Sequence, residues 1–497
     1  MIDQAPLLIL ALPLLSALII PLVGLFREKL CYPLTVIVMA VSVALSGAIL
    51  FRVIDVGPIH YYLGNWPPPW GIECVIDSLN ALVLMAVTIS AFLAAIFSKA
   101  VVEKELEGKE IYFYTLFLLQ VVGLTGMIIT GDMFNLYVFL EITSITGYAL
   151  LAVGEDGSYM AVFKYLIMGT IGASFYLIGV GYLYMITGTL NMGDMASILP
   201  GIMDSRIMLF AFILCISGLF VKMAMFPVHG WLPGAYSKAP SAAAALIAPL
   251  TTKVSVYILI RICFYAFTAE YVFNFLKQTD FIVWLASATI VFGSLSALAQ
   301  KNYKKMLTYI IIAEVGYMVG GFFLGNRMGM SGAILHIVND VAMTLALFMG
   351  AGIFFWKTGS GMREDLKGLF VKMPFTMTGF AIAAFSVIGV PPTCGFFSKW
   401  YLISGGIEAG NYIFVAALIF SSLVNAVLFF RLFEIAYFEP FADHHHAPAH
   451  GAVAVQEAPF HMLAPFLVTG AILILLGIYS GEIVTQIIQF AIPAEIM

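Results

Sequence analysis

A lysine at position 222 stands where a lysine is costly. It is the only charge in the apolar run 207–226, and it lies within LFVKMAMFPVHGWLPGAYSKAPS, residues 219–241. A run of that length suits a bilayer-spanning helix, which needs about 20 apolar residues. An ammonium at mid-membrane costs roughly 2.5–3.5 kcal/mol on insertion scales, so such a residue has a partner, a wet cavity or a task. Pro227 removes a backbone donor just beyond the lysine and interrupts the helix there. His229, Trp231 and Pro233 follow in a segment that is not regular helix throughout. A buried base beside broken backbone is an arrangement found where ions cross membranes. A lone lysine near a helix end can also simply extend its ammonium to the headgroups.

Other ionisable residues fall inside apolar runs as well. Glu141 lies in FNLYVFLEITSITGYALL and Lys253 near the middle of APLTTKVSVYILIR; Lys399 is the only charge of the 33 residues 374–406, which Pro391 and Pro392 interrupt. Lys164, Glu314, His336 and Asp340 complete the set. Arg261, Arg431 and Glu434 lie toward helix ends and read as snorkelling or packing residues. A structural ion pair would need only two of these groups. A proton path needs a mixed-sign set of carboxylates and amines whose proton affinities burial and mutual pairing bring together.

The elements that position these groups are transmembrane helices. Of 497 residues, 62% are hydrophobic and 10% charged, against about 25% charged in soluble domains. The chain is therefore expected to be an all-α integral membrane protein. Fourteen spans are expected, at about 6–26, 32–51, 78–98, 112–130, 133–153, 161–187, 207–226, 241–267, 281–299, 306–324, 330–356, 375–404, 412–438 and 463–490. With the N-terminus outside, the inner loops collect Arg27, Lys29, Lys99, Lys104, Lys109, Lys238, Lys301, Lys304, Lys305, Lys357, Arg363, Lys367 and Lys372, and the outer loops only Arg52, Arg206, Lys277 and Arg327. The positive-inside rule then puts both termini on the outer side of a cell membrane. The first run lacks a basic n-region and a small-residue cleavage site and reads as a retained helix.

No soluble domain fits between the spans. The outer loop 53–77 contains YYLGNWPPPWGIE and is expected to form a compact aromatic-rich cap. The inner loop 439–461 carries Asp443, His444, His445, His446 and His450, read as incidental histidines of a polar loop. Five cysteines are scattered singly, with neither metal-ligand spacing nor a disulfide framework. The net charge of −5 is spread thinly and implies no nucleic-acid partner.

Two spans thus combine a lone lysine with a proline interruption, and they lie five spans apart, which suggests an internal repeat. Setting the fifth span on the tenth brings Glu141 onto Glu314. The sixth on the eleventh brings Lys164 onto His336, and the seventh on the twelfth brings Lys222 onto Lys399. An odd offset places the two copies in opposite orientations, and inverted repeats with discontinuous helices suit a transport path meeting near the midplane. The resulting division is 1–111 for N-terminal helices, 112–267 and 281–438 for two half-channel repeats, and 439–497 for the His-rich loop and last helix.

Five motifs carry a resemblance: FNLYVFLEITSITGYALL, AVFKYLIMGTIGASFYLIG, LFVKMAMFPVHGWLPGAYSKAPSAAAALIAP, KNYKKMLTYIIIAEVGYM and GVPPTCGFFSKWYLISGG. In these the chain resembles the antiporter-like subunits shared by respiratory complex I, membrane-bound hydrogenases and Mrp-type cation/proton antiporters. Its length and the phrase LYVFLEITSI look most like the Mrp D-type subunit. The resemblance implies two half-channels joined by a central polar axis, in which Glu141 pairs with Lys222, Lys253 connects the halves and Lys399 serves the exit side. It further implies membrane-subunit partners in a larger complex, transport of protons with Na+ or K+ as candidate co-transported ions, and driving energy supplied by a partner. Nothing in the sequence resembles a nucleotide, flavin, quinone, iron–sulfur or metal site. Two departures from the family pattern stand out. His336 is followed by Asp340, with Thr344 where members often carry a lysine, and Glu314 replaces a residue that is often neutral. Glu314, His336 and Asp340 are therefore the expected second-half relay, with Lys164 and His229 as accessory positions. The rival reading from another class is a stand-alone secondary transporter of an organic solute, which would need converging polar side chains around a substrate pocket.

Overall fold

The computed structural model describes residues 4–276, 279–438, 456–493 and 496. In chain order the helices are α1 (Ala5–Arg27), α2 (Cys31–Val56), α3 (Ser78–Glu105), α4 (Glu110–Ile129), α5 (Met133–Ala152), α6 (Ser158–Thr187), α7 (Met192–Ile198), α8 (Arg206–Lys222), α9 (Leu232–Ser237) and α10 (Ser241–Tyr265). They continue with α11 (Thr279–Leu298), α12 (Tyr303–Phe323), α13 (Arg327–Thr358), α14 (Leu369–Lys372), α15 (Pro374–Ile388), α16 (Cys394–Glu408), α17 (Tyr412–Phe438) and α18 (Phe460–Ile478). Among the described residues eleven stretches are long and apolar enough to cross a membrane, counting α1 and α2 as the single stretch Ala5–Val56. α8, α15 and α16 are shorter, because two of the expected spans are broken.

The expected cap over 53–77 forms the one departure from an all-helical fold among the described residues. Strands β1 (Ile59–Tyr62) and β2 (Glu73–Ile76) pair antiparallel, and Cys74 bridges to Thr130 at the α4–α5 junction. β2 then runs into α3 through Asp77, whose carboxylate accepts from the backbone N–H groups of Leu79 and Asn80 while Asn80 Oδ1 accepts from Asp77 N. That capping box satisfies the first donors of a helix that would otherwise start unpaired. The opposite face carries Lys104, Lys238, Lys301 and Lys357. Lys304, expected in an inner loop, is instead buried in the first turn of α12, where its ammonium meets Glu155 at 3.0 Å and lies 3.4 Å over the Phe355 ring. That contact ties the α5–α6 connection to the second half of the chain.

α10, α12 and α13 form the centre of the molecule, and their most apolar windows are almost wholly buried. α10 packs on α3 and α13, and α13 on α12 and α16. A helix apolar all round belongs in such a place, and the few polar side chains on these three therefore cannot reach water without a path.

Both breaks differ in detail from the sequence expectation. α8 ends at Lys222 itself, and Ala224 adopts a left-handed φ of 61°, so the helix stops before Pro227 rather than at it. The last carbonyls of α8 are satisfied by Met223, Ala224 and Trp231, whose indole Nε1 donates to Val221 O at 2.9 Å. In the twelfth span the first half ends at Ile388 and Gly389 follows at φ 95°, while Pro391 and Pro392 lie in the connector. Left-handed backbone is the conformation glycine adopts without a Cβ clash.

Close approach of the two halves of that span depends on Gly395: a Cβ there would stand 1.9 Å from the Ser386 carbonyl oxygen. Gly395→Val is expected to destabilise the purified protein by about 1–3 kcal/mol, as overpacking does, and to lower its unfolding temperature in detergent. Gly481→Ala, where nothing lies within 4 Å, is expected to change stability by no more than about 0.5 kcal/mol. Equal effects of the two would contradict the packing account.

Candidate functional site

Six helices, α5, α8, α10, α12, α13 and α16, carry the buried ionisable groups, which form a file. At its first end Lys222, on the last turn of α8, faces Glu141 of α5 with Nζ 3.8 Å from Oε1, and donates to Ser144 Oγ at 2.8 Å. The lysine is buried, whereas Glu141 keeps 28% of its side chain exposed. Oε1 itself is buried without a hydrogen-bond partner among the described residues, while the rest of the Glu141 side chain lies toward the side of the protein that a neighbour or lipid would cover. Ser144 is one helical turn from Glu141, so both present to the same lysine. This hydroxyl was not singled out in the sequence, although its i+3 spacing from Glu141 is a readable signal.

The centre of the file is Lys253 on α10, with no solvent exposure. Its Nζ lies 3.1 Å from Asp340 Oδ2 on α13 and donates to Thr344 Oγ1 at 3.0 Å. Thr344 in turn donates to Asp340 Oδ1 at 2.8 Å. Amine, hydroxyl and carboxylate thus form a closed triangle, in which the threonine supports the acid from one turn along α13. A buried charge persists only when paired and hydrogen-bonded, and this triangle meets both conditions.

One turn earlier on α13, His336 meets Glu314 of α12, Nε2 to Oε2, at 2.5 Å, and Ser398 Oγ of α16 through Nδ1 at 2.8 Å. With the proton on Nε2 the ring donates to the carboxylate and accepts from the Ser398 hydroxyl. When doubly protonated it donates to both, and the hydroxyl can turn to the carbonyls of Cys394 and Gly395, each 3.4 Å away. The surroundings accommodate either state of the imidazole without stranding a donor. His336 and Asp340 are four residues apart and share a face of α13. The remaining oxygen of Glu314, Oε1, is buried without a hydrogen-bond partner among the described residues.

Lys399 follows Ser398 directly. The repeat sets Glu314 against Glu141, and here Glu314 reaches Ser398, the neighbour of Lys399, through His336 rather than pairing with the lysine directly. The ammonium instead donates to Val387 O at 2.6 Å and to Ser422 Oγ at 3.1 Å, and lies 5.1 Å from the Tyr317 ring centre. Val387 is in the last turn of α15, whose carbonyls carry the negative end of the helix dipole. The break in the span therefore creates the site that holds the lysine.

Three of the singled-out residues lie apart from the file. Lys164, an expected accessory position, is exposed on α6, at the edge of an open cleft with Pro227, Val228 and Trp231. His229 is half-buried against the rings of Phe226 and Phe292, with centroid separations of 5.6 and 4.6 Å, and no hydrogen bond at Nδ1. Arg261, read as a snorkelling or packing residue, packs inside the protein. It is 3% exposed and bonded to Asp77, because α10 ends under the hairpin rather than at an open headgroup surface. Arg431 and Glu434 are exposed on α17, as expected. The cluster of histidines in 439–461 lies outside the described residues except for His461, and among those residues no group of three or more His, Cys, Asp or Glu side chains could hold a metal ion.

Residues 130–425 match the family described as NADH:quinone oxidoreductase/Mrp antiporter, TM. The chain is 42% identical over 99% of its length, and 99% of the relative's, to NADH-quinone oxidoreductase subunit N of Desulforudis audaxviator. It is 30% identical over 86% of its length, and 85% of the relative's, to the D-type member of the Na(+)/H(+) antiporter of Bacillus subtilis. A chain of the membrane-bound sulfane sulfur reductase, an archaeal respiratory membrane complex, superposes with a TM-score of 0.88 at 32% identity, covering 97% of this chain and 96% of that one. With a match across more than half its residues and a full-length relative well above 30% identity, the chain belongs to the NADH:quinone oxidoreductase/Mrp antiporter transmembrane family.

Proposed function

We propose that this chain is a proton-translocating subunit of a larger membrane complex, with fourteen spans, two inverted half-channel repeats and both termini outside. The observation that carries the reading is the buried file Lys253–Asp340–Thr344 and Glu314–His336–Ser398, leading to Lys399 at a broken helix. Its ionisable members are of mixed sign, are joined by the hydroxyls of Thr344 and Ser398, and sit on helices that are otherwise apolar. A solute transporter would need a substrate-sized polar pocket around them, whereas these side chains are already closed on one another.

Glu141 is the movable element. While its carboxylate stays near Lys222, the ammonium keeps its proton, held also by Ser144. When a neighbouring protein pulls Glu141 away, Lys222 is a buried charge without a counter-ion and releases its proton toward Lys253. Lys253 accepts that proton once its own has moved on, through His336 and Ser398 toward the Lys399 end, and the recharged ammonium is again held by Asp340. The driving energy comes from that neighbour, since no redox group is expected in this chain.

A respiratory complex of the NADH:quinone oxidoreductase type is the parent favoured by the identity: 42% over the full length against 30% over 86% for the antiporter relative. The Mrp-type cation/proton antiporter, with Na+ or K+ exchanged, is the second reading, supported by the D-type antiporter relatives. Purification of the chain with its natural partners decides between them: a co-purifying redox subunit supports the first, a set of small antiporter subunits the second.

Proton movement is tested with the purified complex in liposomes. Lys222→Ala is expected to lower driven proton transport at least about a hundredfold, the lower end of what a positioned proton-transfer group contributes, with assembly intact. Lys222→Arg is expected to fail equally, because a guanidinium does not release its proton at any accessible pH. More than half of wild-type transport in either assembled variant would refute the role of Lys222. Glu141→Gln removes the counter-ion with little change of shape and should also cause a steep loss.

Glu314→Gln separates a relay from a packing role in the second half. A relay carboxylate predicts strong loss of transport with normal assembly. Near-normal transport would mean that protons pass through His336 and Asp340 without it.

A further inference from the structure

Two charges outside the file are buried as deeply as its members. Asp77 caps α3 and Arg261 lies near the end of α10, and they form a direct ion pair. The guanidinium also stacks 3.7 Å from the centre of the Tyr265 ring. On α10, Lys253, Tyr257 and Arg261 follow one another at four-residue intervals, so they share one face. Arg261 therefore lies about 12 Å from Lys253 along the helix, toward the hairpin. Tyr257 donates to Ile128 O at 2.7 Å, and Asn80, the partner of Asp77 in the capping box, donates to the same carbonyl at 3.2 Å. Beyond the pair opens a cavity of about 780 Å³, whose walls include His60, Glu73, Asp77, Arg261, Gln486 and Phe490. The charged groups there are mutually engaged: Glu73 binds His60 at 2.7 Å and Asn191 at 2.8 Å.

We propose that the Asp77–Arg261 pair is a seal that keeps the hairpin-side cavity from short-circuiting Lys253, an inference that rests on the proton-carrying reading of that lysine. A cavity of this size at the end of the face that bears the central lysine offers a proton a direct way out, and protons leaving there would bypass the Lys399 end and any coupling. A guanidinium suits a plug at that point. It cannot give up its proton, so it cannot act as a stepping stone, and its fixed positive charge opposes a proton approaching from either side. Asp77 makes the buried guanidinium tolerable, and its own oxygens are occupied by Leu79 N, Asn80 N and Arg261. Tyr265 fixes the plane of the plug. The simpler alternative is a strut that ties α3 to α10 without bearing on protons.

The test uses the whole complex in liposomes, measuring passive decay of an imposed pH gradient with the driving reaction off, then driven transport. Asp77→Asn with Arg261→Gln removes both charges and leaves amides in their place. A seal predicts decay about tenfold faster, the factor that loss of about 1.4 kcal/mol of barrier supplies, and predicts that adding Lys253→Met returns decay to the wild-type rate. A strut predicts wild-type decay in the assembled variant. That result would overturn the proposal, as would a leak that persists without Lys253. Tight vesicles with lost driven transport would overturn it too, by making the pair a conduit. Should the double variant not assemble, Arg261→Lys keeps an ion pair but admits a group that can release its proton; decay must again rise and again depend on Lys253, and wild-type decay there refutes the seal. A wild-type complex that moves no protons when driven would fail the function reading itself, an outcome distinct from all of these.

Discussion

A charge in a low-dielectric interior must be paired and hydrogen-bonded or it does not stay charged. This constraint organises the molecule more than any single packing contact. Lys222 has Glu141 and Ser144, Lys253 has Asp340 and Thr344, Glu314 has His336, and Arg261 has Asp77. Lys399 alone among these cations is met by carbonyl and hydroxyl oxygens rather than a carboxylate. Every one of these pairs joins two different helices, so the charges determine which faces of α3, α5, α8, α10, α12, α13 and α16 turn inward. Apolar surface by itself cannot make that choice in a membrane, where lipid tails are as apolar as the helices.

The pairs differ in what they can do, and the difference follows from exposure and from the acid or base involved. Glu141 is the member of the file with a substantial open surface, which lets something outside the chain act on the Lys222 pair. Lys253 and His336 are wholly enclosed and respond only through their neighbours. Arg261 is equally enclosed but cannot exchange its proton, which sets it apart from the two lysines whose burial it shares. Similar burial therefore supports carrying in one place and blocking in another.

Helix breaks supply the second element of the design. An unbroken helix leaves no free backbone polar groups in its middle, whereas a broken one exposes carbonyls at one new end and N–H groups at the other. At the α15–α16 break those carbonyls hold Lys399. At the end of α8 they are taken by the backbone and by Trp231, and the lysine turns to a carboxylate instead. The two copies suggested by the sequence are thus alike in having a lysine at a break and unlike in how the lysine is satisfied.

Much was legible in the sequence, for a reason that is physical. Charges are so disfavoured in apolar runs that Glu141, Lys222, Lys253, Glu314, His336, Asp340 and Lys399 stood out by position alone, and all of them proved to be in or beside the buried file. The helical character, the two interrupted spans and the family were readable for the same reason, since apolar length and rare motifs are local properties of the chain. Partners were not. Which acid meets which base depends on how α12 and α13 rotate against α10 and α16, so the contacts of Glu314 with His336 and of Lys253 with Asp340 come only from the fold. Arg261 read equally as a snorkelling or a packing residue because it is near a helix end; only the fold placed the hairpin and Asp77 over that end. Lys304 looked like a loop lysine until the α5–α6 connection was brought against it. Composition and spacing determine what must be buried, and the cost of burying it says that it must have a partner. The choice of partner belongs to the tertiary structure, because it is made between segments far apart in the chain.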